Sequence, residues 1–329
     1  MNHPVVMAEL WRGDRVESVH RGHAVVVDAS GSVRAAWGNP DQIIYPRSSC
    51  KMLQALPLVE SGAASAAGLQ ARHLALACAS HQGAPMHADT VAAWLGSIDR
   101  SESDLRCGPQ PPSDPADRQA LRETGASPCQ LHNNCSGKHA GFVTLARHLN
   151  AGPDYIDPDH PVQRSVRAAF EEMTQETSPG FGIDGCSAPN FATSLSGLAR
   201  AMATMAAPGD GARGRAATSL VDAMLEHPLM VAGHGRACSE LMAAMDNVAV
   251  KTGAEGVFIA IDRDNGLGVA LKIEDGATRA SEAAMVAILV SLGLIEDQHP
   301  MAQKRLNAVQ PNRRDLPAAH LRATGFTTA

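Results

Sequence analysis

Short β-prone runs crowd both ends of this 329-residue chain, while its middle carries helical periodicity, and that distribution limits the folds open to it. At the N-terminal end the runs are Val5 to Leu10, Val16 to His20, His23 to Asp28 and Val33 to Trp37. They are separated by Arg12-Gly13-Asp14, Arg21-Gly22 and Ala29-Ser30-Gly31-Ser32, the pattern of an antiparallel meander. From Tyr45 to about Met245 the chain is rich in alanine and leucine at a period near 3.6, broken by Gly and Pro clusters. The Pro-rich patch from Gly108 to Pro115 reads as a loop, too short to separate domains. Strands then return at Val248 to Lys251, Val257 to Ile261 and Leu267 to Ile273, the last two joined by the hairpin turn Asp262-Arg263-Asp264-Asn265-Gly266. Ser281 to Leu292 makes an almost wholly apolar helix suited to lie across a sheet. The expected fold is α+β: one antiparallel sheet built from both chain ends, with an inserted helical lobe. Residues 1–47 and 246–329 are expected to form the sheet-containing lobe and 48–245 the mainly helical one, as one structural unit with a site between the lobes.

Within this frame the stretch Pro46-Arg47-Ser48-Ser49-Cys50-Lys51 concentrates chemistry. If it is helical, Ser48 and Lys51 share one face, a nucleophile beside a base. Met52, Leu53, Leu56 and Val59 follow at helical spacing, Pro57 is expected to kink the helix, and Gly62 to end it. A lysine accepts a proton near neutral pH only if its amine is neutral there. Bringing it from about 10.4 to about 7 requires roughly 4 to 5 kcal/mol of differential destabilisation of the charged form. A lone Ser-x-x-Lys arises by chance in many chains, so its meaning depends on what accompanies it.

Composition narrows the function classes. Hydrophobic content of 44% is enough for a large core, and a net charge of -6 without basic runs argues against nucleic acid. Aromatic residues at 3% leave few platforms for base stacking. No basic region followed by a long apolar stretch opens the chain, and the longest apolar run, Ala283 to Ile295, is too short to span a membrane. Seven scattered cysteines therefore read as reduced thiols in a cytoplasm. Of the 28 basic residues only five are lysines: Lys51, Lys138, Lys251, Lys272 and Lys304. Arginine cannot give up its proton, so each lysine is a candidate for chemistry that needs a neutral amine.

Other polar clusters stand out. Lys251-Thr252-Gly253 ends a predicted strand. Together with Ser-x-x-Lys it resembles the signature set of the serine β-lactamase and penicillin-binding-protein superfamily, although that superfamily's middle Ser-x-Asn motif is missing. Ser80 lies in Ala77-Cys78-Ala79-Ser80-His81-Gln82-Gly83, after a helix-like run. His132-Asn133-Asn134-Cys135-Ser136-Gly137-Lys138-His139 is a polar loop entering a helix, and Gly182 to Asn190 is a second loop with a cysteine. Thiolates of Cys135 and Cys186 could share a metal, although isolated cysteines are more often small buried residues.

Taken together, Arg47 to Ala55, Cys78 to His81, Asn134 to Gly141 and Asp184-Gly185-Cys186 resemble the L-asparaginase family of the rhizobial, or class 3, type, from the first strand to about Leu294. The last thirty residues match poorly, with Pro317 where a final strand would lie. The resemblance implies the serine β-lactamase/transpeptidase-like fold, a homodimer, and hydrolysis of L-asparagine to L-aspartate and ammonia. It implies two serine-lysine pairs, Ser48 with Lys51 and Ser80 with Lys251. It also implies substrate contacts from Arg47, His139 and Asp184, and a zinc ion (Zn2+) held by Cys135, Lys138 and Cys186 with water in the fourth place. Expected partners are the small-molecule substrate and a second copy of the chain, with no nucleic acid and no membrane. The competing enzyme readings are a serine glutaminase or a β-lactamase-like hydrolase. A reading of another class is a zinc-containing amino-acid-binding protein that does not hydrolyse its ligand.

Overall fold

The computed structural model describes residues 3–326. The chain divides into two units. One comprises the residues up to Ser49, Thr193–Ala207 and those from Glu240 onward; the other comprises Cys50–Ala192 and Pro208–Ser239.

The first unit is organised by a curled antiparallel sheet: β1 (Val5–Arg12), β2 (Arg15–Asp28), β3 (Val33–Trp37), β4 (Val248–Thr252), β5 (Val257–Asp262), β6 (Leu267–Ile273), β7 (Val309–Pro311) and β8 (Pro317–Ala323). Hydrogen-bonded neighbours run β7-β8-β1-β2-β6-β5-β4, with β3 also on β2, so strands from both chain ends share one sheet. Arg21-Gly22, read from sequence as a break, lies inside one continuous fourteen-residue strand. The glycine serves close approach instead: a Cβ on Gly22 would stand 2.2 Å from the Lys272 carbonyl oxygen. The buried half of β2, from Gly22 to Asp28, pairs with β6, while its exposed first half pairs with β1. Two helices, Leu195–Ala206 and Thr278–Ser291, cover the sheet and explain why β5 is buried on both faces. The first of these packs so tightly on β6 that a Cβ on Gly268 would meet the Ala199 carbonyl oxygen at 2.1 Å. That packing assigns Thr193–Ala207 to the sheet unit, whereas composition alone puts it in the helical lobe.

The C-terminal stretch is ordered around the same sheet. A helix, Pro300–Leu306, leads to β7 and then β8, which pairs with β1 through Leu10 opposite Leu321. Pro317 is the first residue of β8, a position where its missing N–H breaks no interior ladder bond.

The second unit is built round the helix Lys51–Glu60, in which every residue from Lys51 to Leu58 is buried. Helices Ser136–His148, Pro161–Thr174 and Ala212–Glu226 pack against it. Pro57 lies inside the helix without ending it, and Gly62 follows in the left-handed region (φ 84°). The helix Ser136–His148 approaches Ala71–Ala77 through Gly137, where an added Cβ would stand 2.2 Å from the Leu76 carbonyl oxygen. Phe181–Ile183 and Pro189–Phe191 form a small hairpin whose turn is closed by Asp184 N–H to Ala188 O at 3.0 Å and Ser187 N–H to Asp184 O at 2.8 Å.

Candidate active site and metal centre

The Ser-x-x-Lys segment is a turn that becomes a helix. Arg47–Cys50 forms a 3-10 turn, and Lys51 is the first residue of the α-helix that continues it. Pro46 O anchors the turn, accepting from Ser49 N at 3.2 Å and from Ser49 Oγ at 2.7 Å. Ser49 is thereby buried and occupied, while Ser48 is half-buried. Arg47 has φ 54°, a conformation that costs a non-glycine residue energy and persists where surrounding structure enforces it.

The Lys-Thr-Gly motif meets this turn. Gly253, which donates its N–H to Val257 O at 2.7 Å, has no room for a side chain: a Cβ would lie 2.6 Å from Pro46 O and 3.3 Å from Ser49 Cβ. Lys251 on β4 is fully buried and donates to Thr252 O at 2.8 Å. The glycine thus lets the strand that carries Lys251 lie against the serine turn.

Lys51 points its ammonium at three acceptors: the Ala79 carbonyl, Cys135 Sγ at 3.1 Å and Asn134 O at 3.4 Å. The next residue after Ala79 is Ser80, in a segment fixed through its backbone. Ser80 N donates to Val231 O at 2.9 Å, His81 N to Asn134 O at 3.2 Å and Gln82 N to Ala232 O at 3.1 Å, while Gln82 O accepts from Ser113 N at 2.7 Å. His81 adds Nε2 to Ser136 Oγ at 3.0 Å, tying the Ser80 segment to the first turn of the helix after Cys135. Burial, with stacked His87 beside it, holds the His81 imidazole well below its ordinary pKa.

That helix begins a sulfur cluster. Single ligand atoms of Cys135, Asp184 and Cys186 all lie within 4.8 Å of one another, and Lys138 Nζ stands 3.0 Å from Cys186 Sγ. The Cys135 thiol as hydrogen-bond donor, with the Lys138 charge behind it, holds Cys186 as a thiolate despite burial; the same bond, together with burial, keeps the proton on Cys135. For Lys138, burial opposes the ammonium, yet the charges of Cys186, Cys135 and Asp184 more than offset it and raise its pKa. Cys50 and Cys107 differ: burial pushes each thiol up to about 12, which leaves them inert. Two soft sulfurs, a carboxylate and an amine that is basic only when deprotonated form a donor set that fits zinc. His139, wholly buried, donates to or accepts from Tyr155 Oη at 2.9 Å through Nδ1, and its Nε2 has no hydrogen-bond partner among the described residues.

One unit therefore holds Lys51, Ser80, Cys135, Lys138, His139, Asp184 and Cys186; the other holds Arg47, Ser48 and Lys251. Sequence reasoning did not foresee Asp184 as a third ligand atom beside the sulfurs, although the Asp-Gly-Cys spacing carries that signal. Nor did it find the Ala79 and Asn134 carbonyls, which leave no trace in a sequence.

The sequence profile of the family described as L-asparaginase II matches residues 8–323 of this chain. The chain belongs to the L-asparaginase II family. The match extends past Leu294, where the motif resemblance fades, through β7 to the end of β8. This L-asparaginase II chain is accordingly a hydrolase. No curated protein matches its sequence. Among solved structures, a β-lactamase from Mycobacterium bovis aligns at 15% identity and TM-score 0.43, over 82% of this chain and 94% of that one. Mglu aligns at 11% identity and TM-score 0.47, over 85% of this chain and 68% of that one. The octameric penicillin-binding protein homologue from Pyrococcus abyssi aligns at 11% identity and TM-score 0.38, over 92% and 84%.

Proposed function

We propose that this family member hydrolyses L-asparagine to L-aspartate and ammonia by acyl transfer to serine, with Ser48 as nucleophile and Lys51 as base. The observation that carries the reading is the turn itself: Ser48 sits half-buried on a 3-10 turn that runs directly into the helix headed by Lys51, with Ser49 already occupied by Pro46 O. In the first half-reaction Lys51 takes the Ser48 proton, the Ser48 oxygen bonds to the side-chain carbonyl carbon, and the C–N bond breaks as the nitrogen takes the proton from Lys51 and leaves as ammonia. In the second half-reaction, water attacks the ester, giving a proton to Lys51; that proton returns to Ser48 as aspartate departs. Ser80 and Lys251 complete the proton network, while Arg47, His139 and Asp184 bind substrate.

Cys135, Lys138 and Cys186 would hold zinc, with Asp184 within reach of the same position. When bound, zinc supplies a fixed positive charge that neutralises the sulfurs and can draw in a substrate oxygen. Lys138 must lose its proton to become a ligand, so its amine is the group that couples occupancy to pH. The family resemblance makes a homodimer the expected assembly, and the seven free cysteines suit a cytoplasmic enzyme.

A specific contact favours a second assignment. Lys51 donates to the carbonyl of Ala79, one residue before Ser80, which makes Ser80 the alternative nucleophile. Ammonia release measured across asparagine, glutamine and nitrocefin tests the substrate, and mass spectrometry of peptides from quenched turnover locates the acyl group. Aspartyl adduct on the Ser48 peptide supports the reading; adduct on Ser80 reverses the serines. Binding of asparagine without ammonia release defeats catalysis altogether.

A further inference from the structure

We propose that Tyr155 fixes His139 in the tautomer that carries its proton on Nε2, making His139 a hydrogen-bond donor in the site and unable to act as a metal ligand through that nitrogen. The inference rests on the reading above only in placing His139 among the substrate-binding groups.

Tyr155 is buried, and its Oη accepts the backbone N–H of Arg106 at 2.7 Å. Among the described residues the hydroxyl's other hydrogen-bond partner is His139 Nδ1, at 2.9 Å. If Nδ1 carried the imidazole proton and donated to Oη, the phenolic O–H would be left buried with no acceptor, a costly arrangement. If Oη–H donates to Nδ1, every group in the chain Arg106 N–H, Tyr155 Oη–H, His139 Nδ1 is satisfied. Burial also holds the Tyr155 phenol far above its usual pKa, so the donor is never lost by ionisation. With Nδ1 accepting from the phenol, the ring proton lies on Nε2.

That Nε2–H faces the Cys186 sulfur, which acts on the ring as a hydrogen-bond partner, and it meets no nitrogen or oxygen acceptor among the described residues. A buried donor held in one tautomer is ready to donate to an acceptor oxygen that the substrate brings. It is not a lone pair available to zinc, which leaves coordination to the sulfurs and Lys138, with Asp184 within reach. Tyr155 touches none of the reacting atoms in this scheme. It is a positioning residue, acting through His139.

The test is nitrogen NMR of histidine-labelled protein as purified, with the His139 signals assigned by their loss in His139→Gln. The wild-type protein is expected to show His139 protonated at Nε2 and bare at Nδ1, both free and with aspartate bound. Tyr155→Phe removes the donor and is expected to move proton density to Nδ1. Its kcat/KM for asparagine should fall about tenfold, the scale of one hydrogen bond, mainly through a higher KM. A wild-type spectrum protonated at Nδ1 overturns the proposal even if the variant does not fold. So does a folded Tyr155→Phe protein whose tautomer is unchanged, since a merely structural tyrosine would move stability and leave the spectrum as it was. A wild-type protein with the Nε2–H signature but no ammonia release would defeat the proposed function and leave this inference standing.

Discussion

The Lys51 ammonium stands 3.1 Å from Cys135 Sγ, so the lysine of the serine turn is also a neighbour of the sulfur pair. The same amine reaches the Ala79 and Asn134 carbonyls, and one cation thereby gathers the Ser80 segment and the Cys135 loop. Its proposed duty as base requires it to release one of these partners during turnover.

Replacing Lys51 separates the base from the cation. Lys51→Met removes both and is expected to lower kcat by about 10²- to 10⁴-fold, the usual worth of positioned proton transfer. Lys51→Arg restores a permanent charge that cannot accept a proton, and it should be equally damaging. Steady-state ammonia release on both variants, with thermal melts to confirm folding, decides the point. Substantial activity in the arginine variant would mean that Lys51 serves as a cation alone.

Ser48→Ala is expected to lower kcat by at least about 10³-fold with little change in melting temperature, because the hydroxyl of a half-buried nucleophile contributes little to packing. Ser80→Ala should be the milder of the two. Should their ranking invert in single-turnover assays, the nucleophile is Ser80.

Removing the metal with a chelator is expected to raise KM and lower thermal stability while leaving measurable turnover at saturating asparagine. Zinc titration back into the stripped protein, followed by metal content and melting temperature as well as rate, reads both effects. A folded, metal-free protein without turnover at any asparagine concentration, restored by zinc, would replace serine attack with attack by a metal-activated water.

Acid stability follows from two stacked imidazoles. His81 and His87 lie with ring centroids 4.6 Å apart, and burial lowers both pKa values. His87 donates Nε2–H to Leu229 O at 3.0 Å, and His234, Arg236 and Asp117 act on it from neighbouring segments. The unfolded chain takes up protons at these histidines below about pH 6.5, whereas the folded one does so only at lower pH. Stability is therefore unaffected by the pair above that value and falls as pH drops below it, by up to about 1.4 kcal/mol per pH unit for each histidine. Denaturant unfolding at pH 7.5 and 5.5 measures the slope. In His87→Gln, which keeps a donor for Leu229, the slope should shrink; an unchanged slope would show that His87 does not contribute.

Much of the fold is legible in the sequence because its signals are local. Alternating strands at each end, the Asp262 to Gly266 turn and the apolar Ser281 to Leu292 stretch all lie where period and turn chemistry point, and the sheet from both termini follows. Gly22 misleads because its purpose is nonlocal: it clears space for a carbonyl on β6, and a turn glycine looks the same in sequence. The Leu195–Ala206 helix is also legible, but not its allegiance to the sheet, since amphipathicity tells which face is apolar and not what covers it. At the candidate site, side-chain motifs single out Ser48, Lys51, Cys135 and Cys186. The pull of Ala79 and Asn134 on Lys51 is exerted by backbone carbonyls that every residue possesses.

A last consequence lies in where the few lysines are. Lys51, Lys138 and Lys251 are buried, Lys272 is half-buried with its amine on the Glu255 and Ile273 carbonyls, and the Lys304 side chain is 48% exposed. Amine-reactive reagents under native conditions should thus find Lys304 and Lys272 and miss the three buried amines; the ion pair with Glu240 shields the first and two backbone carbonyls the second. The molecule is in effect pre-adapted for attachment to a support or polymer through very few side chains, and Lys51, Lys138 and Lys251 would be spared by their own burial.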